Sequence, residues 1–244
     1  MKLILFSDIH ANLTAFEAVL MHAGANYGES APIAHLGDAV DYGMRPNEVV
    51  DRLGRLGERI IVNLAGNHEL TLMGLDLERF SSARGTGACR YTQKVLGQAG
   101  ADYIRTAMVF APHESRFAGY RLLFVHGDLS DPFWGKMPAT EMGRNVYAGY
   151  DVVVCGHTHV PFLKEEFRPD DSPRARRGTS RTIFINPGSV GQPRNHNPAA
   201  QYAVLDLENG AVHFNAVPYD VAQETRLYRG EVNSFYGERL VLGI

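Results

Sequence analysis

The first third of the chain alternates between short unbroken apolar runs and stretches with helical spacing. "KLILF" (2–6), "PIAHL" (32–36) and "RIIVNL" (59–64) each read as a buried strand, because a short apolar run bounded by polar residues suits a parallel sheet covered on both faces. Leu13, Phe16, Val19 and Leu20 share one face of a helix predicted to end near Gly24. Pro46 opens a second helix at a position where its missing N–H loses nothing, with Val49, Val50, Leu53 and Leu56 facing inward. This β-α-β-α-β order predicts a parallel α/β core. Residues 68–105 read as mostly helical.

From about residue 107 the pattern turns to strands: "AMVFA" (107–111), "YRLLFV" (120–125), "DVVVC" (151–155), "RTIFIN" (181–186), "QYAVLDL" (201–207) and "AVHFNAV" (211–217). "ENG" (208–210) joins the last two as a tight hairpin. Residues 131–150 read as a loop plus a helix, and the polar, basic segment 168–181 as an exposed, mobile loop. No repeat and no linker divides the chain, which predicts one domain over 1–244 with a parallel first half and a more antiparallel second half.

Composition narrows the partners. A net charge of −3 provides no global attraction to nucleic acid or anionic membrane, so a phosphate-bearing ligand has to be held locally. The acidic balance also argues against stable nucleic-acid binding, which uses many basic side chains. Two cysteines, Cys89 and Cys155, make no disulfide framework and fit a reducing cytoplasm. No run approaches the ~20 apolar residues of a membrane span, and the start "MKLILFSDIH" is too short for a signal-peptide core. The expectation is a soluble cytoplasmic protein.

The chemistry lies in the polar residues at the end of each strand. Asp8 and His10 come after the first, Asp38 and Asp41 after the second, and Asn67, His68 and Glu69 after the third. His126 and Asp128 come after "LLFV", and His157 and His159 after "DVVVC". Ligands bind at the carboxyl edge of open α/β sheets. Each turn alone reads as structural: Asp favours loop starts, and a carboxylate suits the start of a helix. Five such turns on one edge read jointly as a metal site. Asp, His and Asn without thiolate suit catalytic Mn, Fe, Co, Ni or Zn better than a structural cysteine site. About seven candidate ligands oversupply one ion, and two ions ~3.5–4 Å apart need one bridging carboxylate. The His157-x-His159 pair can chelate one ion, serve two, or decorate a turn. In an extended chain it would span ~6.5–7 Å, enough to straddle two metals. His22, His35, His113, His196 and His213 are scattered and read as structural, with His196 held open as a substrate contact.

The ordered set Asp8-x-His10, Gly37-Asp38-x-x-Asp41, Gly66-Asn67-His68-Glu69, His126 and Gly156-His157-x-His159 resembles the calcineurin-like metallophosphoesterases over most of the chain. "HGDLSDPFW" (126–134) and "NPGSVGQPR" (186–194) are similar to the small prokaryotic phosphodiesterase branch labelled YfcE-like or diadenosine tetraphosphatase-like. The resemblance implies a four-layer αββα sandwich of two mixed β-sheets. It implies one metal on Asp8, His10, Asp38 and His159 and a second on Asp38, Asn67, His126 and His157, with manganese favoured. His68 would reach the phosphate without touching metal, as general acid or as a stabiliser of transition-state charge. Glu69 stands where Asp is commoner in the family, and would orient a histidine from behind the ligands. Asp128 departs from the usual small polar residue, and would either repel a phosphate or orient His126.

The implied reaction is phosphodiester hydrolysis of a small, nucleotide-like substrate by in-line attack of a metal-bridging hydroxide. Arg194 and His196 are candidate substrate contacts, with a surface salt bridge as the alternative for Arg194. The rival readings are a phosphoprotein phosphatase and an interaction scaffold of the same fold with little catalytic power. An amidohydrolase barrel fits poorly, because its His-x-His belongs to the first strand and its α/β alternation does not stop after three.

Overall fold

A computed structural model describes residues 1–137, 145–171 and 178–244. Its first sheet has the order β10-β9-β1-β2-β3, from β1 (Lys2–Phe6), β2 (Ile33–His35), β3 (Ile60–Asn63), β9 (Ala200–Asp206) and β10 (Ala211–Val217). Here β1, β2 and β3 are parallel, while β9 and β10 add antiparallel strands to the other side of β1. The second sheet has the order β4-β5-β6-β8-β7, from β4 (His113–Phe117), β5 (Tyr120–Phe124), β6 (Val152–Val154), β7 (Phe162–Pro169) and β8 (Thr179–Asn186). Its centre, β5-β6-β8, is parallel and its edges are antiparallel. The strands of the first half are thus parallel and most pairings of the second half antiparallel, as expected, and both sheets are mixed.

The sheets pack face to face through Leu3, Leu5, Leu36 and Val62 on one side and Phe124, Val154 and Ile185 on the other. Each such fully buried aliphatic contributes about 1.5–3 kcal/mol. The outer face of the first sheet, with Ile4 and Phe6, is covered by α1 (Leu13–Tyr27) and α2 (Pro46–Gly54) through Phe16, Val19, Val49 and Leu53. The outer face of the second sheet packs Leu123, Val153 and Phe184 against Met137 and Tyr147. Among the described residues that cover contains a single 3-10 turn, Asn145–Tyr147, and no α-helix; residues 138–144 of the expected loop plus helix lie outside the described residues.

Helix α1 is capped by the Asn12 side chain, which accepts from Ala15 N–H at 3.0 Å. It runs past Gly24 and stops at Gly28, whose φ of 97° is open to glycine. The 68–105 region resolves into α3 (Asn67–Leu72), α4 (Ala83–Val95) and α5 (Gln98–Ala107). "AMVFA" is not a strand. Ala107 ends α5, and only Val109 makes an isolated parallel bridge, to Leu64. Strands β4 and β7 have no counterpart in the hydrophobic pattern, because both are edge strands with much of their length exposed. Residues 168–169 and 179–181 are paired strand rather than loop, with Arg168 opposite Ser180; residues 172–177 of that segment lie outside the described residues. Two C-terminal helices, α6 (Val221–Thr225) and α7 (Phe235–Leu242), complete the chain. No helix among the described residues is long and apolar enough to cross a membrane.

His35 on β2 is fully buried, with Nδ1 on Asn63 Oδ1 at 2.8 Å and Nε2 without a partner. Burial pushes it down to about 4, against the opposing bond from Asn63. An unfolded histidine takes its proton near 6.5, so stability is full above that pH and is lost as pH falls towards 4. Between pH 7 and 5 the metal-free protein is expected to lose on the order of 2 kcal/mol more than His35→Gln does. Urea unfolding at the two pH values measures this, and equal losses would show that His35 does not titrate with folding.

Candidate metal centre

The carboxyl ends of β1, β2, β3, β5 and β6 meet at one edge of the sandwich. The side chains just beyond them form two groups, Asp8 with His10, Asp38 and His159, and Asp38 with His126 and His157; within each group the ligand-competent atoms lie within 4.8 Å of one another. Asp38 belongs to both. In the first, His159 Nε2 is 3.2 Å from Asp8 Oδ1, and His10 Nε2 is 3.8 Å from Asp38 Oδ2. In the second, His126 Nε2 is 3.2 Å from Asp38 Oδ2. Asn67 Oδ1 joins it, 3.2 Å from His126 Nε2 and 2.9 Å from His157 Nδ1.

Backbone geometry explains why so few residues bring so many ligands together. Asp8, His10, Asp38, Asp41, His157 and His159 all have φ between 49° and 65°. Non-glycine residues adopt this left-handed region rarely, at roughly 1–3 kcal/mol each, and such strain gathers at functional sites. The His157-x-His159 pair is thus a bend rather than an extended segment, yet its two rings still serve different groups. Gly66 and Gly156 leave the space: a Cβ on Gly66 would lie 2.1 Å from Asp38 Oδ1, and one on Gly156 2.2 Å from Ser7 Oγ.

The donor set fits divalent cations. His10, His126 and His159 each donate Nδ1–H to a main-chain carbonyl, on Val40 (3.0 Å), Leu36 (2.7 Å) and Gln192 (2.6 Å). A carbonyl can only accept, so Nδ1 carries the proton and Nε2 is the nitrogen left for a ligand. The His10 and His159 Nε2 atoms face each other at 3.2 Å, and burial holds both rings below the ordinary imidazole value, hence neutral. Two lone pairs at that distance repel unless a cation lies between them. Both Asp8 oxygens are buried without a hydrogen-bond donor. Burial alone would raise Asp8 and Asp38, but His126, which is biased towards imidazolium, draws both down, and His68 adds to this at Asp38.

His68 stands beside these groups and in neither. Its Nδ1–H donates to Asp41 Oδ2 at 2.8 Å and its Nε2 lies 3.9 Å from Asp38 Oδ2. Burial lowers its affinity for a proton, yet the charges of Asp38 and Asp41 more than restore it, so the ring is biased towards imidazolium. Tyr42 (4.5 Å), His10 (4.8 Å) and Phe80 (5.1 Å) pack around it by ring centroids. Asp41 is therefore the residue that orients His68, a role that sequence spacing leaves unassigned although Asp41 lies within the motif.

Two expected roles are corrected. Glu69 orients no histidine. Its carboxylate accepts four backbone N–H groups, from Asp38 (2.9 Å), Ala39 (2.8 Å), Val40 (3.2 Å) and Gly66 (2.8 Å), and so ties two ligand loops together. Asp128 makes no hydrogen bond to His126, whose ring is held by Leu36 O and Asn67 Oδ1 among the described residues. Asp128 Oδ1 accepts from Ser130 N–H, Ser130 Oγ and Asp131 N–H at 2.6–2.9 Å, which folds the 128–131 turn. "NPGSVGQPR" acts as a brace: Ser189 Oγ donates to Asp8 O at 2.7 Å, and Asn186 Nδ2 to Gly156 O at 2.7 Å. Arg194 is half-buried next to His159, whose carbonyl accepts its N–H at 3.3 Å. His196 is exposed, its N–H on Gly243 O at 2.7 Å, and no side-chain contact joins it to the cluster among the described residues.

Two Asp/His groups sharing a carboxylate, at the strand ends of a two-sheet sandwich, define a metal-dependent hydrolase class of site. Residues 1–210 match the calcineurin-like phosphoesterase superfamily domain, and the chain belongs to that superfamily, a phosphoric ester hydrolase. It is 28% identical over 243 residues to the uncharacterized protein MJ0912 of Methanocaldococcus jannaschii, covering 97% of this chain and 96% of that one. Phosphodiesterase YfcE of Escherichia coli K12 is 28% identical over 218 residues, 84% of this chain and 88% of its own. The crystal structure of a metallophosphoesterase from Sphaerobacter thermophilus superposes with a TM-score of 0.76 at 28% identity, over the whole of both chains.

Proposed function

We propose that this chain, as one domain over 1–244, is a two-metal phosphodiesterase acting on a small, nucleotide-like phosphoester. Support comes above all from Asp38, the carboxylate that both ligand groups share among the described residues. Asp8, His10, Asp38 and His159 would hold one divalent cation, and Asp38, Asn67, His126 and His157 the other, with Mn²⁺ the first choice among Mn, Fe, Co, Ni and Zn. When bound, such cations supply Lewis acidity, which acidifies water at neutral pH and neutralises the phosphoryl oxygens.

The chain's own residues then act by position and charge. His68 directs Nε2 to the Asp38 side of the site, where it protonates the departing oxygen or stabilises the negative charge of the transition state. Asp41 holds its tautomer and its ring. No side-chain nucleophile is needed for in-line displacement by water. Arg194, beside His159, is the candidate contact to substrate oxygens, with His196 further out on the same loop. The name of the Escherichia coli relative favours a diester over a monoester. Both cysteines, Cys89 and Cys155, are free and buried, which favours a reducing, cytoplasmic setting.

The test is Mn²⁺-dependent hydrolysis of bis-p-nitrophenyl phosphate together with metal stoichiometry. His157→Ala and His159→Ala are each expected to lose one of the two bound equivalents, and not the same one. His10→Ala combined with His159→Ala should then still hold one equivalent, while His157→Ala combined with His159→Ala should hold neither tightly. A protein that binds both ions without turning over any phosphoester would instead be a scaffold.

A further inference from the structure

Two large aromatic side chains beside the metal centre, Phe80 and Trp134, belong to none of the hydrophobic clusters that form the core of the described residues. Phe80 follows the 3-10 turn Leu77–Arg79, Trp134 lies in the turn that begins at Asp131, and both side chains are half-buried. Their contacts run from ring to ring. His68 packs on Phe80 (5.1 Å), Phe80 meets Trp134 at 5.5 Å with 82° between the planes, and Trp134 lies 6.2 Å from His157 by ring centroids. The row begins at the residue assigned to the departing oxygen and ends at a ligand of the second group. Both of its ends therefore belong to the metal centre.

Charge along this row is cancelled. Arg79, whose guanidinium carbon lies 5.1 Å from the Trp134 ring centroid, pairs with Asp131 and Asp76. Asp131 also accepts the Trp134 backbone N–H at 3.2 Å, so one carboxylate fixes both the turn that carries the ring and the cation over it. The result is a neutral aromatic corner next to a charged centre. Apolar rings left half in water gain when a flat apolar group covers them. Two rings set edge to face accept a third by stacking on one member and edge contact with the other.

We propose that Phe80 and Trp134 are specificity-determining contacts, which take the planar nucleobase of the substrate while its phosphate is held at the metal centre. The proposal rests on reading that centre as a phosphoester site and deepens it: the ester group beside His68 carries an aromatic ring.

Adenosine 5′-monophosphate and ribose 5-phosphate carry the same phosphate and differ by the base alone, so their comparison tests the contact. With the full chain and excess Mn²⁺, calorimetry is expected to show the first binding about tenfold or more tightly than the second. Trp134 is the one tryptophan of the chain, so a change in tryptophan emission on saturation with the first ligand reports on that ring. Phe80→Leu and, separately, Trp134→Leu should each cut the preference for the base about fivefold or more, with ribose 5-phosphate binding retained. Leucine keeps both half-buried positions apolar, thermal unfolding checks each variant, and the wild-type comparison needs neither. Equal wild-type affinity for the two ligands, binding of neither, or a preference unchanged in both variants would overturn the proposal. Preference for the base in a protein that hydrolyses no diester would refute the phosphoesterase reading alone. Hydrolysis of bis-p-nitrophenyl phosphate without that preference would refute the base contact alone.

Discussion

His68→Ala is expected to lower kcat for bis-p-nitrophenyl phosphate by about 10²-fold, and by up to about 10⁴-fold for a diester with an alkyl leaving group. Metal content should not change, because His68 Nε2 is 3.9 Å from Asp38 and belongs to neither ligand group. The dependence on leaving group separates the two roles open to this residue. p-Nitrophenolate departs without a proton, whereas an alkoxide needs one. A general acid is therefore missed most by the alkyl ester, while a group that stabilises phosphoryl charge is missed equally by both. The His68 ring is packed among Tyr42, His10 and Phe80, so truncation also opens a space. His68→Gln fills more of it and serves as the check that lost turnover is not lost folding. Equal rates in wild type and both variants, with metal bound, would remove His68 from the mechanism.

The second large effect is on stability. Glu69→Ala would leave four buried N–H groups, on Asp38, Ala39, Val40 and Gly66, without an acceptor. Each orphaned donor costs about 1–3 kcal/mol. Part of this is offset by removing a carboxylate that burial, and then the charge of Asp38, raise to about 7. A net loss of about 3 kcal/mol is expected, which lowers Tm by about 10 °C for a chain of this length. Glu69→Asp retains the charge but is one methylene shorter, so it cannot span both loops and should fall between. Asp38 depends on these bonds for its left-handed backbone, so metal affinity is expected to fall with stability across the series. Calorimetric unfolding of the metal-free proteins measures the first effect and Mn²⁺ titration the second. A Glu69→Ala protein as stable as the wild type would show that those loops hold their shape without the carboxylate.

Much of this site is legible in the chain. A buried strand of a parallel sheet shows itself as an unbroken apolar run, and the polar residue that ends the run necessarily emerges at the carboxyl edge. Asp8, His10, Asp38, Asn67, His126, His157 and His159 all stand out in that way. The same logic fails for β4 and β7, whose exposed edges leave no one-sided pattern to read. It also fails for "AMVFA", where an apolar run is shared between the end of a helix and a single bridge. The roles of Glu69 and Asp128 escape it because a carboxylate in a turn has the same sequence signature whether it serves a ligand, a histidine or the backbone.

What the chain determined alone was which side chains arrive at the edge, since local burial and strand direction decide that. What only the tertiary structure decided was how they are shared: Asp38 between two ligand groups, Asp41 with His68, and Glu69 between two loops. It also decided that α7, more than 150 residues after His68, would stack Tyr236 on Tyr42, the ring that packs against His68. Those partnerships depend on the closure of long loops and on distances of a few ångströms, quantities that no local pattern of polar and apolar residues contains.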